Sequence, residues 1–310
     1  MFLLCVKQRF IYRAVVNLDM GQLHTLAATV SEGSLEGAAR VLHITPSAVS
    51  QRLRALEAAT GRVLLVRTHP VGVTESGEVV LRLARQVERL VTDIGTELGM
   101  AGPGSVAVVP LAVNADSLAT WVLPALAPLA GVLRLDLHRA DQERTAALLR
   151  AGTVAGAVTT QAAPVPGCRS TVLGVMRYRA LATHGLVARW FPDGPRLASL
   201  AQAPVVVFDR DDDLQHAFLR RHAPGATLPM EHRVPSAADF VDAIRRGWGW
   251  GMVPDLQAGD DVETGRLVEL VPGDTIDVVL HWQRWRASGT ALDQVTAAPT
   301  THAARTLTPS

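Results

Sequence analysis

The sequence has few cysteines and few aromatic residues. Only 2 of its 310 residues are cysteine and 5% are aromatic. Cys5 and Cys168 lie far apart, so they predict neither a disulfide framework nor a metal site. No apolar run approaches the roughly 20 residues that cross a bilayer, and the apolar start is interrupted by charge before any cleavage site. These absences argue against a secreted disulfide-rich protein and a membrane protein, and they indicate a reducing cytoplasm.

Sequence signatures of catalysis are also lacking. There is no nucleophile elbow, P-loop or Cys-x-x-Cys pair, and the histidines do not have the spacing of a zinc site. The alternating glycines from Gly247 to Gly251 follow a predicted helix and precede a strand, which is the reverse of a phosphate-binding turn. We therefore predict no enzymatic activity, no metal and no cofactor.

Charge is balanced overall but not locally. The formal net charge is +1, and 48% of the residues are hydrophobic, which is typical of a globular protein of two or three domains. Between Ser47 and Pro70, however, Glu57 is the only acidic residue against four arginines: Arg52, Arg54, Arg62 and Arg67. Any nucleic-acid binding is therefore expected from this local positive field.

Two short helices are predicted between Ser34 and Gly61. Ser34 is a favourable N-cap, and the residues after it recur at helical spacing. Thr45 is the predicted N-cap of the second helix, Pro46 suits its first position, and Gly61 is expected to close it. The inward residues of the second helix are predicted to be Ala48, Val49, Leu53 and Leu56.

The other faces of the second helix carry groups that read DNA. Hydroxyl, amide and guanidinium groups bind base edges and phosphates, and a helix fits the major groove. Capped amphipathic helices are common in proteins that do not bind DNA, so the helix pair alone is weak evidence. The residues that follow strengthen the DNA-binding interpretation, since 63–67 and 73–74 predict a two-stranded wing around a turn at 69–72. The predicted DNA-binding residues are Ser34, Thr45, Pro46, Ser47, Ser50, Gln51, Arg52, Arg54 and Arg67.

Helical periodicity continues on both sides of this segment. Residues 18–32 predict a supporting helix, and one long helix is expected from Thr74 onward. Its apolar stripe either packs on its own domain or pairs two protomers, and we favour pairing because so long a helix has little intramolecular surface to cover it. The stripe consists of Val80, Leu83, Val87, Leu90, Ile94 and Leu98.

Beyond a glycine-rich break at 99–104, strands and helices alternate in the rhythm of a parallel α/β sheet. Strands are predicted at 106–110, 132–138, 156–160, 205–208 and 250–253. Helices are predicted at 118–129, 143–151, 213–222 and 237–246. The pattern predicts two α/β lobes, with residues 299–301 frayed near the end.

A ligand site is expected where strands lead into helices, since ligands of open α/β sheets lie outside the carboxyl ends of the strands. The candidates are Asn114, Asp116 and Ser117 after the first strand, Thr159 in the third, and Asp209 after Phe208. A helix N-terminus with Ser117 would hold a carboxylate, while Asp116 or Asp209 would meet a cation. Helix capping is the alternative role for these residues.

The run ITPSAVSQRLRALEAATGRVLLVRT, followed by TESGE, resembles the N-terminal domain of the LysR-type transcriptional regulators. The similarity covers nearly the whole chain from Leu18, which leaves residues 1–17 as an extra segment. Within that family, LHITPSAVSQRL, LLVRT and GWGWGMVP are similar to the ArgP/LysG branch. This resemblance implies a winged helix-turn-helix, a linker helix that pairs protomers, and a two-lobed effector domain like a periplasmic binding protein.

The resemblance also implies the domain limits. These are 18–75 for the DNA-binding domain, 76–102 for the linker, 103–178 with 264–310 for the first lobe, and 179–263 for the second lobe. The implied function is a cytoplasmic, homodimeric or tetrameric regulator that binds double-stranded DNA, senses lysine or arginine and controls an amino-acid exporter gene. The alternative is a cytoplasmic solute-binding module whose N-terminal helices contact protein.

Overall fold

The computed structural model describes residues 17–100, 106–225, 227, 230–287 and 289–309. The expectations for the N-terminal extra segment and for most of the glycine-rich break thus fall outside the described residues. The chain divides between Val91 and Thr92 into two compact units. No helix in the described part of the chain is long and apolar enough to cross a membrane.

The first unit is a three-helix bundle with a small β-ribbon. Its elements are α1 (Met20–Glu32), α2 (Leu35–Val41), α3 (Pro46–Thr60), the strands β1 (Leu65–Val66) and β2 (Gly72–Val73), and α4 (Glu75–Glu97). β1 and β2 pair antiparallel, as predicted for the wing, although β1 is shorter than the predicted 63–67 and β2 begins one residue before the predicted 73–74. The core includes Leu23, Leu26, Ala38, Val49, Leu53, Leu56 and Leu64.

The predicted helix ends are confirmed. The Ser34 hydroxyl accepts a hydrogen bond from the Gly37 N–H at 2.9 Å, and the Thr45 hydroxyl accepts one from Ala48 at 3.2 Å. Pro46 occupies the first turn of α3, and Gly61 ends that helix in the left-handed conformation. Because these signals are local, the sequence alone is sufficient to predict them.

The buried face of α4 differs from the apolar stripe that the sequence predicted. Gly77, Leu81 and Ala84 are buried in the first unit. A Cβ on Gly77 would lie 2.0 Å from the Leu64 carbonyl oxygen, so the helix contacts the backbone that leads into the wing. In the predicted stripe, Leu83 is 38% accessible, Ile94 is 55% accessible and Leu98 is also exposed. The other three residues, Val80, Val87 and Leu90, are half-buried.

The second unit contains the remaining strands and helices. The strands are β3 (Val108–Val113), β4 (Arg134–Arg139), β5 (Gly156–Thr159), β6 (Cys168–Ala182), β7 (Val205–Val207), β8 (Glu231–Arg233), β9 (Gly251–Pro254), β10 (Val268–Glu269) and β11 (Ile276–Trp285). The helices are α5 (Ala115–Ser117), α6 (Leu123–Leu126), α7 (Gln142–Ala151), α8 (His184–Trp190), α9 (Leu197–Leu200), α10 (Leu214–His222), α11 (Ala237–Arg245), α12 (Asp255–Ala258) and α13 (Thr290–Thr306).

The main sheet is mixed, so the prediction of a parallel sheet was wrong in part. Its strand order is β10-β6-β11-β5-β3-β4, with β9 also paired to β6. β3 is parallel to β4 and β5, whereas β11 is antiparallel to both β5 and β6. β3, β4 and β5 with α7 and α13 form the first lobe, and β7, β8 and β9 with α10 and α11 form the second.

β6 is the largest element that the sequence analysis missed, since no strand was predicted between residues 160 and 205. Its charged residues obscure the strand pattern, but the structure pairs them: Arg177 binds Asp277 on β11. At Gly174 the ladder is irregular, φ is 145°, and a Cβ would lie 2.7 Å from Leu307. Glycine is therefore required there by both conformation and space.

Two helix predictions also needed correction. The expected helix 118–129 begins at Ala115 and contains a π-helical turn, Leu118–Val122, just before Pro124, which has no N–H to donate. The fraying predicted at 299–301 was wrong, because Pro299 is buried inside α13. A helical proline costs about 3 kcal/mol, and packing of the same helix through Leu292, Val295 and Ala303 offsets this cost.

The close contact at Gly77 generates a stability prediction. Gly77→Ala should destabilise the first unit by about 1–3 kcal/mol, since the new methyl group overlaps a backbone carbonyl. Gly95→Ala in the same helix is the matched control, because its Cβ would meet nothing within 4 Å. Urea unfolding monitored by circular dichroism should separate the two variants, and equal stabilities would contradict the contact.

Candidate functional site

The exposed face of α3 brings together several predicted DNA-binding residues. Ser47, Gln51 and Arg54 are exposed and spaced at i, i+4 and i+7. They lie opposite the buried Val49, Leu53 and Leu56. This places a hydroxyl, an amide and a guanidinium along one side of a helix, an arrangement suited to base edges in a major groove.

The other predicted DNA-binding residues differ in their contacts and exposure. Ser34 and Thr45 use their hydroxyls as helix caps, and Pro46 is exposed at the start of α3. Ser50 is half-buried, whereas Arg52 and Arg67 are exposed, with Arg67 directly after β1 in the wing. The arginines are thus available to phosphates on two elements of one unit.

The second unit contains a cavity of about 940 Å³ between its two lobes. Four of the five predicted effector residues line it: Asn114, Asp116, Thr159 and Asp209. Ser117 does not, because it is fully buried beneath the start of its helix. We therefore remove Ser117 from the candidate site.

The carboxylate of Asp116 is hydrogen-bonded by a tyrosine of β6. The Tyr178 hydroxyl of β6 donates a hydrogen bond to Asp116 Oδ2 at 2.7 Å. The pKa of Asp116 is raised above its usual value. Burial is the largest cause and the charge of Asp212 adds to it, whereas the hydrogen bond from Tyr178 acts in the opposite direction. The pKa of Tyr178 lies well above its usual value, first because of burial and then because of Asp116. Tyr178 therefore acts as a donor to the carboxylate.

Asp212 is another carboxylate of this cavity, which Asp141, Asp209, Asp211 and Asp213 also line, and it was not among the site residues predicted from the sequence. Its two oxygens accept backbone N–H groups, Oδ2 from Phe208 at 2.9 Å and Oδ1 from Leu214 at 3.2 Å. Burial raises the pKa of Asp212, and these backbone hydrogen bonds lower it. The run DRDDD at 209–213 indicated acidity, and all four of its carboxylates line the cavity, but the sequence did not show that Asp212 is the one held by two backbone N–H groups.

Helix capping, the alternative role, is not seen for the side chains of Asn114, Ser117, Thr159 and Asp209. Asn114 occupies the N-cap position of α5 without making a side-chain cap, and its Oδ1 is buried without a partner among the described residues. The Asp209 carboxylate accepts the Asp211 N–H at 2.9 Å, so it serves its own turn. The Thr159 hydroxyl likewise accepts the Gln161 N–H at 3.2 Å.

One cationic side chain of the cavity wall connects the lobes. Arg139, at the end of β4, donates from Nη1 to the Pro235 carbonyl oxygen at 2.9 Å. Its guanidinium also lies 5.8 Å from the centre of the Phe208 ring. The cavity thus has carboxylates on both lobes and an arginine at its wall, which suits a ligand with both a cation and an anion.

Two family models match the chain. The model described as "Bacterial regulatory helix-turn-helix protein, lysR family" matches residues 20–78, and "LysR substrate binding domain" matches residues 104–298. The first range contains the helices and wing described above, and the second contains the cavity.

Known relatives match along nearly their whole length. The regulator LysG of Mycobacterium tuberculosis is 42% identical over 279 residues, covering 90% of this chain and 91% of the relative. The lysine export transcriptional regulatory protein LysG of Corynebacterium glutamicum is 42% identical over 285 residues, covering 89% and 95%. A structure of full-length LysG from Corynebacterium glutamicum with bound effector Arg superposes with a TM-score of 0.83, at 40% identity, covering 94% of this chain and 100% of that one.

Proposed function

The chain belongs to the LysR family of bacterial helix-turn-helix transcriptional regulators, and we propose that its second unit senses a basic amino acid, lysine or arginine. The observation that carries this proposal is the acidic cavity between the lobes. Asp116 and Asp212 form no salt bridge with any described residue, so a cationic ligand would supply the missing charge. The effector Arg of the Corynebacterium glutamicum relative supports the same class of ligand.

We further propose how the two units divide the work. Ser47, Gln51 and Arg54 would read base edges from α3, and Arg52 and Arg67 would contact phosphates. The regulator would act in the cytoplasm on an amino-acid exporter gene, which the name of the Corynebacterium glutamicum relative supports. A solute-binding module without DNA readout is disfavoured, because the family match includes the helix-turn-helix unit.

The assembly that we propose is a homodimer through α4. Leu83, Leu90 and Ile94 follow one another along one side of this helix. In the single chain, Leu83 is 38% exposed, Ile94 is 55% exposed and Leu90 is half-buried. An apolar stripe of this spacing on a 23-residue helix suits pairing with a second copy. Two paired DNA-binding units would then match two half-sites.

Readout of DNA can be tested by substituting the exposed face. Gln51→Ala should weaken binding to the cognate site by about 1–3 kcal/mol and leave binding to random duplex nearly unchanged. Arg67→Ala should weaken binding to both duplexes and reduce the salt slope by about one unit. Arg196→Ala removes an equal charge from the second unit and serves as the control. Equal losses on both duplexes for Gln51→Ala would contradict base readout.

Assembly can be tested on α4 itself. Leu90→Glu would place a charge in a desolvated seam and should convert the dimer to monomer in light scattering. Thr96→Glu adds the same charge on an exposed position at the far side of the helix, so it should leave the dimer intact. If Leu90→Glu remains fully dimeric, the seam lies elsewhere.

The ligand class can be tested by calorimetry on the wild-type protein. Arginine and lysine should bind, whereas their neutral analogues citrulline and norleucine should bind at least tenfold more weakly, since a charge-assisted hydrogen bond contributes about 1.5–3 kcal/mol. Asp116→Asn should reduce lysine affinity about ten- to a hundredfold. Its DNA binding without effector should be preserved. No binding of either basic amino acid would refute the proposed effector class.

A further inference from the structure

We propose that Asp212 is the second specificity-determining residue of the effector site, and that it and Asp116 hold the ligand's cationic group from opposite lobes. This inference rests on the proposed function, because it assumes a basic ligand in this cavity. It adds a residue that lies in the second lobe, in the segment between β7 and α10. The cation would then be the link that joins the two lobes.

The first argument is the arrangement of like charges. Asp116 follows β3 in the first lobe and Asp212 follows β7 in the second, and both line one cavity. Burial raises the pKa of Asp116 most, and the charge of Asp212 raises it further. Two partly buried carboxylates that line one cavity disfavour each other's ionised form unless a proton or a cation lies near both. A single cationic group therefore satisfies both lobes at once.

The second argument comes from unused hydrogen-bond acceptors. Asn114 Oδ1 and Thr160 Oγ1 are buried at the cavity wall, and neither has a partner among the described residues. Each is capable of accepting a hydrogen bond, and buried polar atoms are normally paired. An ammonium has three donors and a guanidinium has five. The cavity thus offers acceptors for a donor-rich group beyond its two charges.

The third argument concerns how Asp212 is held. Both of its oxygens accept backbone N–H groups from its own segment, so its carboxylate has a fixed position without any cationic partner. Asp213, the next residue, differs because its carboxylate binds Arg220 through two hydrogen bonds of 3.1 and 2.6 Å. A ligand cation would therefore gain more from Asp212 than from its already neutralised neighbour.

The pH dependence of binding follows from this arrangement. The other titratable and charged side chains of the cavity wall are Arg139, Asp141, Arg144, Tyr178, Asp209, Asp211 and Asp213. Burial raises the pKa of both carboxyl groups, so a proton occupies the pair more readily as the pH falls. The bound cation favours the ionised pair, and binding therefore releases a proton. Affinity should be greatest above the raised pKa values and should decline as the pH falls through them. Proton release can be measured by calorimetry in buffers of different ionisation enthalpy.

The decisive experiment compares Asp212→Asn with Asp213→Asn in the full-length protein, with arginine and citrulline as probes. Asp212→Asn should reduce arginine affinity about ten- to a hundredfold and reduce the preference for arginine over citrulline by a similar factor. Asp213→Asn changes the charge of the same segment equally and should change both quantities less than threefold. Equal effects of the two variants would overturn the proposal in favour of a general field.

The pH profile gives a readout that a merely structural role would not move. Without the charge of Asp212, the pKa of Asp116 falls, so the decline in affinity should shift to lower pH in Asp212→Asn. Tyr178→Phe removes the hydrogen bond that lowers the pKa of Asp116, so its decline should shift to higher pH. This second variant acts on Asp116 and tests the first-lobe half of the cation site independently of Asp212. If Asp212→Asn does not fold, Asp212→Glu keeps the charge, and it should retain the preference for arginine over citrulline.

The outcomes separate the two proposals. If the wild type binds neither arginine nor lysine, the proposed function fails. If the wild type binds arginine but Asp212→Asn retains its affinity, its preference over citrulline and its pH profile, only the role of Asp212 is overturned. A selective loss with opposite pH shifts in the Asp212 and Tyr178 variants would support the two-lobe cation site.

Discussion

The antiparallel pairing of β6 with β11 holds the second unit together. The ladder runs from Cys168 opposite Trp285 to Tyr178 opposite Ile276, and β6 continues beyond it to pair with β9 and β10. The first lobe joins this ladder through β5, which pairs with β11. Every contact across the cavity, from Asp116 to Tyr178 or from Arg139 to Pro235, depends on this shared pair of strands.

Local sequence signals were sufficient to predict the helix ends of the first unit. Ser34, Thr45, Pro46 and Gly61 determine where helices begin and end through hydrogen bonds or dihedral angles that involve only a few neighbouring residues. The second unit was less predictable because its central strand carries arginines that read as exposed. Arg179, for example, pairs with Asp255 and Glu269, which are distant in sequence. Such pairings can be recognised only once the fold is known.

The same contrast between local and long-range contacts explains which residues of the cavity could be predicted. The rule that ligands lie beyond the carboxyl ends of strands identified the segments of Asn114, Asp116 and Asp209, which all line the cavity. It did not identify Tyr178, because that side chain reaches Asp116 only through the crossing of β6 between the lobes. Nor did it separate Ser117 from its neighbours, since one residue along a helix turns a side chain by about 100°.

Residues after α13 contact the central strand β6, although they are more than 120 residues away from it in the sequence. Thr308 exchanges backbone hydrogen bonds with Val175 on β6, and Leu307 packs against the bare backbone of Gly174 beside it. This contact lies at the irregularity of the β6–β11 ladder, between the parts of the ladder that serve each lobe. A substitution at Leu307 or Thr308 would therefore disturb the pair of strands that both lobes share, although neither residue is in the wall of the cavity.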